Sequence, residues 1–344
     1  MELLFPIRSL EQVNVYLEEG IREFYCGYIS KEWIDTWNKP HEKQWTTLQV
    51  SMNRRDYLTS NITDPHELQE IAKSCRNYQA TLFVTLNAAF YAPMAYPYLE
   101  KWLCEIEQLG VSHLIVSDIG VMNMIHLHHP RFHITVSCEN QVLNQEAVSF
   151  YRQFQPERIV FPRHITVSEI VPILEANPDI NFESFLLSSR CIYNDGNCRC
   201  IHDIEPICNE AWITKFFRTD GKNQTYSENR MLKNANQDMI DWTFGIEQYS
   251  FQGFGFGKIL CSICSVYTLC QYPNFASLKI VGRGMQFSKE MTDNMKQIIA
   301  LSESGASLKD YQNFAREMFC CESLCDTMLF CNMRGESSCG NVRR

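Results

Sequence analysis

The sequence predicts an α/β fold, a TIM-like (β/α)8 barrel, from eight short β-type runs, helical stretches alternating with them, and a composition able to fill a large core. With 344 residues, 45% of them hydrophobic and 21% charged, the chain has apolar material for one large domain or a domain with an appendage. Strands that alternate with helices build parallel sheets from βαβ units. Eight of them suit a closed barrel, and a doubly wound open sheet is the second arrangement the same order permits.

The strands are expected at residues 2–7, 23–29, 81–87, 113–118, 132–137, 158–163, 181–188 and 277–283, short runs dominated by apolar side chains. Residues 65–76, 96–109, 145–154, 167–175 and 290–302 carry apolar side chains at helical spacing between or after them. Two stretches break the alternation, a polar segment at 30–64 and an insertion at 189–252 between the seventh and eighth strands. Insertions at the C-terminal ends of barrel strands are where such folds hold their chemistry. The run Phe251-Gln-Gly-Phe-Gly-Phe-Gly257 reads as a glycine-punctuated turn or ribbon, since a phosphate loop would be followed by Lys-Ser or Lys-Thr. On this reading a barrel domain, residues 1–310 with the insertion at 189–257, is followed by a cysteine-rich tail, residues 311–344.

The formal net charge of -9 argues against a protein that grips nucleic acid by bulk electrostatics, so nucleic acid is the less expected partner. The sequence has no apolar run long enough to span a membrane and no basic flank leading into an apolar segment at residue 1, and a cytoplasmic location is expected. Sixteen cysteines then point to metal ligation rather than a disulfide framework. Cys26, Cys75, Cys104 and Cys138 stand singly, as packed core residues do, whereas the other twelve follow residue 190. Cys191-Ile-Tyr-Asn-Asp-Gly-Asn-Cys198-Arg-Cys200 and Cys208 lie in the insertion, and Cys261, Cys264 and Cys270 follow it. Thiolates this close suit an iron-sulfur cluster or zinc, and spacing alone leaves both open.

From Glu2-Leu-Leu-Phe-Pro6 through Thr85-Leu-Asn87, Leu114-Ile-Val-Ser-Asp118 and Val160-Phe-Pro-Arg163 to Lys279-Ile-Val-Gly-Arg283 runs a series of motifs. In these and in its Cys-x6-Cys pair the sequence resembles the collagenase-like U32 peptidase family, in its hydroxylase-type branch linked to ubiquinone synthesis and RNA modification. The resemblance implies a four-iron, four-sulfur (4Fe-4S) cluster on Cys191, Cys198, Cys208 and a fourth cysteine matched by Cys261, with Cys200, Cys264 and Cys270 as alternatives. It also implies oxygen-independent hydroxylation with prephenate as oxygen donor, hence a small-molecule carboxylate co-substrate beside the cluster.

A dicarboxylate calls for guanidinium forks, and Arg163 and Arg283 end predicted strands at the expected barrel mouth. Asn87 and Asp118 end strands too, where a helix cap is the competing use. Glu139, after the fifth strand, is a candidate for acid-base work. His126, His128 and His129 read as surface residues. Two departures from the family pattern stand out: Val281 replaces the glutamate of Lys-Ile-Glu-Gly-Arg, and Ile7-Arg8 replaces small residues after Pro6. Cys320, Cys321, Cys325, Cys331 and Cys339 crowd the tail, as a second metal site or as redox-labile thiols. The alternatives to a hydroxylase are a non-catalytic cluster-bearing partner in a hetero-oligomer with a second family member, and a peptidase, for which the sequence holds no recognisable nucleophile or zinc motif.

Overall fold

The computed structural model describes residues 1–38, 52–55, 59–189, 196, 250–251, 254–255, 259–282 and 286–319. Eight parallel strands close into a barrel: β1 (Glu2–Pro6), β2 (Glu23–Cys26), β3 (Thr81–Leu86), β4 (His113–Val116), β5 (His133–Val136), β6 (Arg158–Val160), β7 (Asn181–Ser189) and, after a two-stranded ribbon (Ser250–Phe251 with Phe254–Gly255) and one extra strand, β9 (Phe275–Ile280). Each pairs with its successor, β9 lies between β7 and β1, and Leu3 faces Leu278 across the closing pair. The extra strand β8 (Ile259–Cys261) runs antiparallel along the end of β7 and sets Cys261 opposite Leu187. The doubly wound alternative is thereby excluded.

Helices α1 (Leu10–Glu18), α2 (Pro65–Asn77), α3 (Tyr96–Gln108), α4 (Ile119–His128), α5 (Gln145–Tyr151), α6 (Val167–Ala176), α7 (Ile263–Leu269), α8 (Lys289–Glu303) and α9 (Leu308–Phe319) complete the order. Side-chain caps start several of them: Ser9, Asp64, Asn144 and Ser288 each accept a hydrogen bond from a backbone N–H in the first turn. Their buried stripes, such as Leu68, Ile71, Ala72 and Cys75 on α2, face the outer side of the strands and form the main core. The start of α9 packs on α7, where the Tyr311 hydroxyl donates to the Ile263 carbonyl at 2.7 Å, so the helix runs straight across residue 310. Among the described residues no helix is long and apolar enough to cross a membrane.

Inside the barrel, side chains alternate in and out with the period of a strand. One layer is ionic. Arg158 donates to both carboxylate oxygens of Glu23, at 2.6 and 2.8 Å, and to Glu183 at 3.1 Å. Lys279 Nζ lies 3.3 Å from Glu183 and Ser277 donates to Glu23 at 2.7 Å. Two cations thus meet two carboxylates, which is how charges stay ionised in a dry interior. Above this layer sit Leu4, Tyr25, Phe83 and Ile115, then Cys138, Val160 and Phe185.

Candidate active site

Parallel strands deliver all their carboxyl ends to one face, and there Tyr25, Thr85, Ile115, Val160, Phe185 and Lys279 floor a cavity of about 70 Å³, room for a few waters or the carboxylate end of an acid. Its walls are polar. Asn53, Arg54 and Arg55 come from the segment after β2, Asn87 from the end of β3, Ser137 and Glu139 from the turn after β5, and Arg163 from the turn after β6.

Local structure holds each group. Glu139 sits in a short helical turn, Cys138–Asn140, that Ser137 caps. Asn140 pins the turn by donating to the Ser117 carbonyl at 2.7 Å and to the Tyr151 hydroxyl at 3.0 Å. Glu139 is buried, and its Oε1 accepts from Arg54 Nη1. Arg54 adopts the left-handed backbone, φ 62°, which turns its side chain inward at a conformational cost that non-glycine residues rarely bear. The Arg163 guanidinium lies over the Phe185 ring at 5.1 Å, and Lys279 Nζ over the Tyr25 ring at 4.2 Å. Aromatic faces attract cations and fix their orientation. Two buried oxygens, Glu139 Oε2 and Asn87 Oδ1, accept no hydrogen bond among the described residues. A buried acceptor left unpaired is costly and marks a place for an incoming N–H or O–H.

Of the candidates named from sequence, Asn87, Glu139 and Arg163 meet at this cavity. Asp118 does not line it. Its Oδ1 accepts from Val121 N and the Tyr96 hydroxyl, and its Oδ2 from Tyr91 N, each at 2.9 Å; both oxygens are engaged in the cap of α4 and the loop before α3, so capping prevails. His129 is buried against Glu100, with Nε2 3.0 Å from Oε1, which corrects its reading as a surface residue; His126 is half-buried and His128 exposed. The residues missed were Arg54 and Lys279. The only sequence signal for the first was the Arg54-Arg55 doublet in an otherwise polar segment. Val281 lines the cavity, so the departure from Lys-Ile-Glu-Gly-Arg changes the wall itself from acidic to apolar.

Arg283, Cys191, Cys198, Cys200, Cys208 and the tail cysteines lie outside the described residues. Gly196, between Cys191 and Cys198, is described, and a Cβ there would stand 2.6 Å from the Glu139 carbonyl oxygen and 2.7 Å from Gln141 Cγ. Only glycine fits so close to a backbone. That contact sets Gly196, which lies between Cys191 and Cys198 in the sequence, against the turn that carries Glu139, and Cys261, partly exposed on β8, pairs with the end of β7. This placement fits a cluster at the mouth. Cys270 fits it less well, since its thiol donates to the Tyr267 and Ser302 carbonyls at 3.3 and 3.5 Å, a packed role.

The family model for Peptidase family U32 matches residues 8–318. Curated relatives include tRNA hydroxylation protein P of Haemophilus influenzae, 29% identical over 57% of this chain and 38% of that protein. They also include tRNA hydroxylation protein P1 of Bacillus subtilis, 25% identical over 64% and 49%, and 23S rRNA 5-hydroxycytidine C2501 synthase of Escherichia coli, 26% identical over 40% and 20%. The matches span less than half the length of these three relatives. The solved U32 peptidase Mk0906 superimposes with a TM-score of 0.42 at 12% identity, covering 67% of this chain and 85% of that one. With the family model spanning nearly the whole described barrel, the chain belongs to peptidase family U32.

Proposed function

We propose that this chain is an iron-sulfur hydroxylase that works without molecular oxygen, taking its oxygen from a carboxylate-bearing donor of the prephenate type and acting on an RNA base. The observation that supports it most is the meeting of Arg163, Arg54, Lys279, Glu139 and Asn87 at one cavity, with Gly196, two positions before Cys198, against the Glu139 turn. The names of the relatives support the acceptor class.

The residues divide the work by charge. Arg163, steadied on Phe185, presents a fork that pairs with a carboxylate. The carboxylate end of the donor fills the cavity, and its bulk extends outward. Glu139 Oε2 and Asn87 Oδ1 accept hydrogen bonds from an exocyclic amine or hydroxyl of the acceptor, Glu139 takes up the proton released from the carbon that gains oxygen, and the oxygen donor takes the two electrons of that C–H bond. A 4Fe-4S cluster on Cys191, Cys198, Cys208 and Cys261 would supply electron-transfer or Lewis-acid chemistry there. Because the surface is acidic overall, an RNA would be held by a local cationic mouth rather than by a broad basic face.

The test is anaerobic purification, with iron, acid-labile sulfide and zinc measured in wild type and in Cys191→Ala, Cys198→Ala, Cys208→Ala and Cys261→Ala. Purified protein is then incubated with prephenate and undermodified RNA, and nucleosides are read by mass spectrometry. Equal iron and sulfide lost in the four variants, with a prephenate-dependent gain of one oxygen by the chain alone, is the expected result. Zinc without iron, or a loaded chain with no turnover, overturns the reading; turnover only with a second family member added would make the chain a cluster-bearing partner instead.

A further inference from the structure

The end of the barrel opposite the mouth carries a second convergence of groups. His113 and His133 open β4 and β5 side by side, and Glu157 stands one residue before β6. The two imidazoles stack with centroids 4.5 Å apart and planes 17° from parallel, so the half-exposed His133 ring must turn about its Cβ–Cγ bond before its in-plane lone pair and that of His113 meet at one ion. Glu157 Oε2 lies 3.5 Å from His113 Nε2 and 3.2 Å from His133 Nδ1, and the three donor atoms all fall within 4.8 Å of one another. Yet Glu157 Oε2, itself buried, makes no hydrogen bond among the described residues. The three donor atoms lie close enough to share one ion once the His133 ring turns.

Distances and surroundings agree with that reading. Ligands about 2.0–2.1 Å from a tetrahedral zinc stand about 3.3 Å from each other, and the two measured separations lie on either side of that value. Ser112 Oγ is 2.9 Å from His113 Nδ1. An Nδ1–H donated to that hydroxyl leaves the Nε2 lone pair facing Glu157, the outer hydrogen bond that metal-bound histidines carry.

We infer that His113 Nε2, His133 Nδ1 and Glu157 Oε2 bind one divalent transition ion, zinc foremost, with solvent as the fourth ligand on the exposed side of His133. Two imidazoles and one carboxylate suit zinc, nickel or cobalt rather than magnesium or calcium. The ion would tie together the starts of three consecutive strands, at the barrel face where fixed residues serve stability rather than turnover. The inference stands independently of the hydroxylase reading.

The experiment must separate this site from the cysteines. Anaerobically purified full-length protein is stripped with a chelator and titrated with zinc, beside His133→Ala, Glu157→Gln, Ser112→Ala and a Cys191→Ala/Cys198→Ala/Cys208→Ala triple variant. Zinc-edge anomalous scattering locates the ion. The expected result is one equivalent that survives in the cysteine variant, binds at least about 100-fold more weakly in His133→Ala and Glu157→Gln, and about 10–100-fold more weakly in Ser112→Ala. Thermal melting of the stripped proteins checks that the variants fold, and added zinc should raise the melting temperature of wild type but not of His133→Ala. Unchanged affinity in His133→Ala and Glu157→Gln, an anomalous peak confined to cysteines, or no zinc bound by wild type would overturn the inference.

Discussion

Arg163 and Glu139 do different jobs at the mouth, and their variants should fail differently. Arg163→Lys keeps the charge and loses the planar fork, so the KM for prephenate should rise about tenfold or more, with kcat changed far less. Glu139→Gln keeps the shape and removes the proton acceptor, so kcat should fall about 100-fold or more while the prephenate KM stays within a few-fold. Steady-state kinetics on the loaded protein checks both, and the same loss in kcat and KM for both variants would assign the pair a merely structural role. Arg163, Asn87 and Glu139 were legible because they end or follow predicted strands and barrel chemistry collects there. Asp118 satisfied the same rule and became a cap, since site and cap both place a short acid at the strand-to-helix junction. Arg54 was not legible: its pairing with Glu139 spans 85 positions, and nothing local in a polar segment announces a tertiary contact.

Strands and helices were far more legible than side-chain partners, because a barrel strand covered on both faces is a compact apolar run whatever its neighbours are. All eight expected strands are present, the last beginning at Phe275 rather than Ser277. The elements absent from the expected ranges include α1, α4, α7, α9 and β8; α7 has only seven residues and β8 three, too few for a period to show. The ionic layer could not be foreseen either, since Glu23 and Arg158 open their strands and read as rim residues until the barrel closes them onto each other. Arg158→Met should cost about 3–5 kcal/mol in urea denaturation, because it leaves Glu23 and Glu183 buried without their strongest donor. Combining it with Glu23→Gln should recover part of that loss, as the sole removal of a cation from a paired set is what makes it costly. At the mouth, Gly196→Ala forces a methyl to within 2.6 Å of the Glu139 carbonyl, so residue 196 and the Glu139 turn must move apart. Iron content and turnover should fall while far-UV circular dichroism stays unchanged; full iron loading would show that the contact has no part in holding the cluster.

Closure gives the barrel its integrity, and the last unit supplies it by reaching back to the first. Phe287 N donates to the Tyr16 hydroxyl at 2.9 Å, and the Phe287 ring meets Phe5 edge-on at 5.5 Å, so the segment entering α8 packs on β1 and α1. The same unit continues into α9, whose Tyr311 is wholly buried, lies 5.3 Å from the Tyr267 ring and holds the Ile263 carbonyl. Tyr267 in turn donates to the Ala306 carbonyl at 2.7 Å. A domain boundary at residue 310 would cut through this packing and strip the cover from α7, the helix that follows Cys261. Tyr311→Phe should cost about 0.5–1.5 kcal/mol by removing one of the hydrogen bonds to the Ile263 carbonyl, and Tyr311→Ala about 3–5 kcal/mol by opening a cavity as well. A chain ending after Asp310 loses Tyr311, Phe314 and Ala315 together and should lose at least as much stability as Tyr311→Ala. Thermal and urea melts of the three proteins beside the full chain decide it: a chain ending at Asp310 that melts with the full-length protein would support the boundary there, and one that melts below Tyr311→Ala makes α9 the closing element of the barrel.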